Sequence, residues 1–143
     1  MKKIFLLIVL FQSLVTYSQT TSSKLLSQKI GNLSCKNVME INLTNNDTSY
    51  YVYCSFQNDE YEHIIDIGSI MITSKNKLTT TINQLKQCLK YMEIGKVDFS
   101  VGSFRLYDFA VVLYIYDGDK TTTIFKKSVI EWIDFLERCK LGY

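Results

Sequence analysis

From Val38 onward, polar and apolar residues alternate along the chain. Met39, Ile41 and Leu43 interleave with Glu40, Asn42 and Thr44, and Tyr50, Val52, Cys54 and Phe56 interleave with Tyr51, Tyr53 and Ser55. A period of two marks half-buried strands, and the Asn-Asn-Asp-Thr cluster at 45–48 marks a turn, so this stretch predicts a β-hairpin. Residues 57–62 are polar and acidic and read as a loop. An Ile-rich strand follows over 63–73, with Gly68 inside it as a bulge or break. Upstream, residues 19–36 are polar around Leu25, Leu26 and Ile30. Gly31 would end a short helix there, with an extended lead-in as the alternative.

The period then lengthens. Leu78, Ile82, Leu85, Leu89 and Met92 recur at spacings of four and three, predicting a helix capped by Ser74 and stopped by Gly95. Short strands over 97–101 and 104–106 precede an apolar run at 109–116, read as a central strand buried on both faces. Asp117 and Gly118 signal a tight hairpin into a β-branched strand over 121–125. Ser128 and Glu131 have the spacing of a capping box opening the last helix, whose inner face is Val129, Trp132, Ile133 and Leu136. The set expected to be buried together is Val111, Leu113, Ile115, Ile82, Leu85, Leu89, Trp132, Ile133 and Leu136. Strand runs alternating with single helices predict an α+β fold: an antiparallel sheet of five or six strands with two long helices packed on one face.

The first residues do not belong to that plan. Lys2 and Lys3, the apolar stretch from Ile4 to Phe11, and the small residues Thr16 and Ser18 read as a secretory signal cut after Ser18. About a dozen mostly apolar residues fall short of a membrane span. The expected organisation is a signal peptide at 1–18 and one α+β domain at 19–143, exported to the periplasm or the extracellular space. Losing Lys2 and Lys3 leaves fourteen basic residues against fourteen acidic ones, so the formal charge falls from +2 to zero. A neutral chain lacks the cationic field that draws nucleic acid or anionic lipid, so neither is an expected partner, and no membrane insertion is expected after signal removal. With 47% hydrophobic residues and no Pro, the chain has ample apolar mass for a core, which excludes a disordered or collagen-like class.

Cys35, Cys54, Cys88 and Cys139 all follow the cut, and an even count in an exported domain predicts two disulfides. Their spacings contain no Cys-x-x-Cys, and His63 is the single imidazole, so no metal site is expected. The favoured pairing is Cys88 with Cys139, placed alike on two helices taken to be parallel, and Cys35 with Cys54. If the first hairpin turns near Asn46 and Asp47, Cys54 faces Met39 and Cys35 lies about four residues farther on.

No nucleophile elbow, Gly-rich phosphate loop or Ser-His-Asp spacing occurs, so no catalytic residue and no cofactor is assigned. Aromatic content carries more information: ten Tyr and eight Phe, with Tyr50, Tyr51, Tyr53 and Tyr61 in the first half and Tyr107, Phe109, Tyr114 and Tyr116 in the second. Stiff, amphipathic tyrosines on a strand face suit recognition. The leading expectation is a non-enzymatic binding module using Tyr51, Tyr53 and Tyr61 toward a protein or carbohydrate partner. An inhibitor or immunity protein would use the same surface. The enzymatic alternative is a small hydrolase built on Asp59, Glu60, Glu62 or Asp66 with Asp98, Asp108 or Asp117.

Overall fold

The computed structural model describes residues 20–60, 66–95, 98–107, 111–139 and 141. Four strands, β1 (Thr20–Ile30), β2 (Leu33–Asn42), β3 (Asp47–Gln57) and β4 (Ile67–Ile72), precede helix α1 (Lys75–Ile94). Four more, β5 (Phe99–Val101), β6 (Phe104–Leu106), β7 (Val112–Asp117) and β8 (Lys120–Phe125), precede α2 (Lys126–Arg138). Each set of four is an antiparallel meander in chain order, so the α+β class holds. The single sheet of five or six strands is corrected to two sheets of four.

Part of the difference comes from residues 20–36. Gly31 (φ 55°) and Asn32 link Ile30 to its partner Leu33 as a two-residue hairpin loop, not as a helix end. Gly31 supplies the positive φ that the first position of such a loop needs. A Lys24/Leu26 bulge interrupts the β1–β2 ladder, and β1 is mostly solvent-exposed, which is why its sequence lacks an apolar period.

The β2–β3 hairpin turns earlier than expected, over residues 43–46 with Asn46 at φ 56°. Cys54 therefore faces Cys35 and not Met39, whose partner is Tyr50. The two cysteines are disulfide-bonded across adjacent strands with Cα atoms 4.1 Å apart.

Two ion pairs fix the helix directions. Lys86 Nζ lies 2.7 Å from Glu137 Oε1, and Lys126 Nζ lies 3.3 Å from Glu93 Oε1. Moving forward along α1 thus means moving backward along α2: the helices are antiparallel. The level of Cys88 on α2 falls near residue 134, about five residues or roughly 8 Å of helix rise from Cys139. The expected Cys88–Cys139 bond is absent and both are free thiols, because it required parallel helices.

One buried cluster joins both sheets and both helices. It includes Leu33, Val52, Phe56 and Ile72 of the first sheet, Phe104, Leu113, Ile115 and Ile124 of the second, and Leu85, Trp132, Phe135 and Leu136 of the helices. Phe104 and Trp132 meet edge to face at 5.7 Å. Ile82 and Leu89 are half-buried at its margin. Val111 is corrected: it precedes β7 and is 61% exposed. In β7 only Leu113 and Ile115 point inward, while Tyr114 and Tyr116 turn their phenols away, so this strand is buried on one face. Ser74 caps α1 as expected, accepting from Lys77 N–H at 3.2 Å, and Thr81 bonds back to Lys77 O at 2.8 Å. The capping box of α2 does not form. β8 runs straight into the helix, Phe125 occupies the cap position without a side-chain bond, and Ser128 lies inside the first turn.

The two sheets meet through a polar clip. Asn58 and Asp59, just past β3, behave like one rung of a ninth strand against β8. Asp59 N–H donates to Thr121 O at 2.9 Å, and Thr121 N–H donates to Asn58 Oδ1 at 3.1 Å. Thr123 N–H donates to Asp59 Oδ2 at 3.0 Å. Lys120 completes the junction, bonding Asp66 Oδ1 at 2.8 Å and Ile67 O at 2.9 Å. Gly68 is required here: a Cβ would collide with the Phe56 ring and approach Lys120 Cβ at 3.2 Å.

Candidate functional site

Alternation along β3 turns Val52, Cys54 and Phe56 inward and Tyr51 and Tyr53 outward. Register then gives each tyrosine its neighbours. Tyr51 stands opposite Val38, whose partner on β1 is Lys24; Tyr53 stands opposite Lys36 on β2 and Met71 on β4. Together these six residues line a groove of about 460 Å³ on the outer face of the first sheet. That volume lies in the range of small-ligand sites. Met71 is 47% exposed although fully apolar.

Tyr51 donates to Glu40 Oε1 at 2.8 Å, and this hydrogen bond to a carboxylate, with some desolvation, raises its pKa above the ordinary 10.0. The phenol therefore stays a neutral donor, and Glu40 is engaged before any ligand arrives. What remains free on the groove walls is aromatic and aliphatic surface with the Lys24 and Lys36 ammonium groups. Such a face can bind; it holds no acid–base pair. The structure thus brings Tyr51 and Tyr53 together, while Tyr61 lies outside the described residues. Lys24, Lys36, Val38 and Met71 were not singled out from sequence, because only the strand register reveals them.

A second aromatic patch occupies the outer face of β6 and β7. Tyr107 and Tyr114 meet edge to face at 4.9 Å, the Tyr107 and Tyr116 hydroxyls are 3.1 Å apart, and the Arg105 guanidinium lies 4.8 Å above the Tyr116 ring.

Of the carboxylates weighed as a hydrolase site, Asp59, Asp66 and Asp117 do structural work, while Glu60 and Asp98 are exposed. Asp59 holds the β8 edge. Asp66 accepts from Lys120 and, at 2.9 Å, from Asn58 Nδ2, and these two bonds hold its pKa below the ordinary 3.8. Asp117 accepts from Ser69 N–H at 2.8 Å. Glu62, His63 and Asp108 lie outside the described residues. Among the described residues, no group of three or more His, Cys, Asp or Glu side chains is arranged to hold a metal ion. Burial pushes the thiols of Cys88 and Cys139 up to about 11, so neither is an activated nucleophile. Among the described residues no helix is long and apolar enough to cross a membrane. No protein-family model, curated protein or solved structure matches the chain.

Proposed function

We propose that the protein is an exported, non-enzymatic binding module whose recognition surface is the outer face of the first sheet. The observation that carries this reading is the groove itself: two parallel-facing tyrosines flanked by Val38 and Met71, with Lys24 and Lys36 on the β1 and β2 side, on strands stapled by the Cys35–Cys54 disulfide. Tyrosines on a rigid strand lose little conformational entropy on binding and supply both apolar area and a hydroxyl. The cross-strand disulfide favours an oxidising compartment, in keeping with the signal-like first eighteen residues. An inhibitory or immunity role would be one use of this same surface. The partner is a protein or a carbohydrate, and the lysines favour one that carries acidic groups beside flat apolar ones.

The test is comparative capture from periplasmic extract and on immobilised glycans, using the wild type beside a Tyr51→Ala/Tyr53→Ala variant. Loss of two such contacts should weaken a true partner at least tenfold, on the order of 1.4 kcal/mol or more. A partner retained with equal affinity by the double variant removes the groove from the function. Export is checked by intact mass: the recovered protein should begin at Gln19.

A further inference from the structure

We infer that the Tyr51 and Tyr53 groove takes an acidic segment of a partner protein, with its apolar side chains against the tyrosines and its carboxylates on Lys24 and Lys36. This rests on the groove being the recognition surface and narrows the occupant to one class.

Strand register divides this face into an apolar part and a cationic flank. Lys24, Val38 and Tyr51 form one cross-strand row, and Ser27, Lys36, Tyr53 and Met71 form the next, about 6.8 Å farther along the strands. Val38, Tyr51, Tyr53 and Met71 therefore make a diagonal apolar stripe from β2 to β4. Both lysines stand on its β1 and β2 side. Lys29, in the row after that, also belongs to β1, so the cations share one flank. All three lysines are exposed. The neighbouring carboxylate, Glu40, is already held by Tyr51 at 2.8 Å. An occupant of complementary charge carries its carboxylates along one side and apolar groups along the other.

The hydrogen-bonding character of the walls separates protein from carbohydrate. The described residues lining the groove are Ser22, Lys24, Lys36, Val38, Tyr51, Tyr53 and Met71. Apart from the weak Met71 sulfur, their side-chain acceptors are hydroxyl oxygens alone, those of Ser22, Tyr51 and Tyr53; the ammonium groups only donate. A sugar ring turns several hydroxyl donors toward the surface it covers. Over Val38 and Met71 those hydroxyls lose water without finding an acceptor, a cost that opposes binding.

A peptide meets the same walls without that penalty. Its apolar side chains cover Val38, Tyr51, Tyr53 and Met71, and its carboxylates accept charge-assisted bonds from Lys24 and Lys36. Tyr and Met are also the residue types that contacts between proteins concentrate. Met71, 47% exposed and unbranched, can adjust its shape to the side chain laid on it.

The experiment selects a phage-displayed random dodecapeptide library on the immobilised mature chain, then titrates a synthetic copy of the most enriched peptide by amide NMR. Hyaluronate fragments, polygalacturonate fragments and phosphatidylglycerol vesicles are separate probes. Enriched peptides should carry two or more Asp or Glu beside large apolar residues, and their saturable shifts should centre on residues 24, 36–38, 51–53 and 71. A Lys24→Glu/Lys36→Glu variant should bind the peptide at least tenfold more weakly, with the rest of its spectrum unchanged. The same variant should bind a copy of the peptide whose acidic residues are replaced by Lys, which separates lost complementarity from lost folding. An enriched set without acidic residues, shifts centred elsewhere, or undiminished binding by the charge-reversed variant would each overturn the inference. So would a glycan or vesicle matching the peptide; seated on Tyr51 and Tyr53, it would leave the groove as the recognition surface. If no probe shifts the groove residues, both readings fall.

Discussion

Truncating Asn58 to Ala should loosen the junction between the two sheets. Asn58 is 1% exposed, and its side chain makes three hydrogen bonds: to Asp66 Oδ2 at 2.9 Å, from Thr121 N–H at 3.1 Å and from Glu60 N–H at 3.3 Å. Glu60 is exposed, so water replaces the lost acceptor there; Asp66 keeps Lys120. Thr121 N–H is different, because it faces the half-buried edge of β8 and is left without its acceptor. Net hydrogen bonds are each worth about 0.5–1.5 kcal/mol, and an orphaned buried donor costs about 1–3. The sum expected for Asn58→Ala is about 2–4 kcal/mol, against a total stability of typically about 5–15. With a urea slope of roughly 1–3 kcal/mol per molar, the midpoint falls by about 0.7–4 M. Asn58→Asp separates the two sides of the residue. It keeps an acceptor for Thr121 but sets a second carboxylate against Asp66, so its defect should shrink as pH is lowered and the carboxylates protonate. The measurement is urea unfolding followed by circular dichroism. An Asn58→Ala midpoint within about 0.3 M of wild type would refute the clip.

Four further outcomes follow from other contacts of the fold. The Asp66 pKa is depressed in the folded state by Lys120 and Asn58, so its contribution is present above the ordinary 3.8 and is lost as pH falls through the lower folded value; Asp66→Asn should flatten the acid limb of the stability curve, and an unchanged limb contradicts it. Without reductant, denatured protein should show two alkylatable thiols, Cys88 and Cys139, with unreduced peptides linking Cys35 to Cys54; in the native state both react slowly near neutral pH, Cys88 more slowly because it is fully buried. Reducing the Cys35–Cys54 bridge, with its separation of 19 residues, should cost about 3 kcal/mol in the loop-entropy account, and an unchanged midpoint after reduction opposes it. Leu85 and Leu136, fully buried and one residue from the Lys86–Glu137 pair, should each lose about 2–5 kcal/mol on truncation to Ala, read by denaturant midpoint.

What could be read from the sequence divides along the line between parity and register. Parity is local: alternation in residues 50–56 shows that Tyr51 and Tyr53 share a face opposite Val52 and Cys54, and the structure places them so. The four-and-three spacing and Ser74 define α1 in the same local way. Parity misleads only where a residue is amphipathic. Counting Tyr114 and Tyr116 as apolar turned a one-sided strand, β7, into a two-sided one. Register is another matter, since it depends on which turn residue adopts the left-handed conformation. With Asn46 there and Asp47 already paired to Asn42, the hairpin slips from the expected alignment by four positions. Because four is even, every side chain keeps its face, and the hydrophobic pattern cannot distinguish the two alignments. The consequences lie wholly in who sits beside whom. Cys54 meets Cys35 directly instead of needing the chain to fold back, and Tyr53 gains Lys36 as its neighbour. The clip and the helix directions lie further from local reading, resting on pairs 63 and 51 residues apart, Thr121 with Asn58 and Lys86 with Glu137. The acidic segment past β3 looked like a solvated loop or a catalytic one for the same reason: its partners on β8 belong to the other half of the chain. A carboxylate run ending a strand is thus ambiguous until the unpaired edge it serves is known, and here that edge is Thr121 to Thr123.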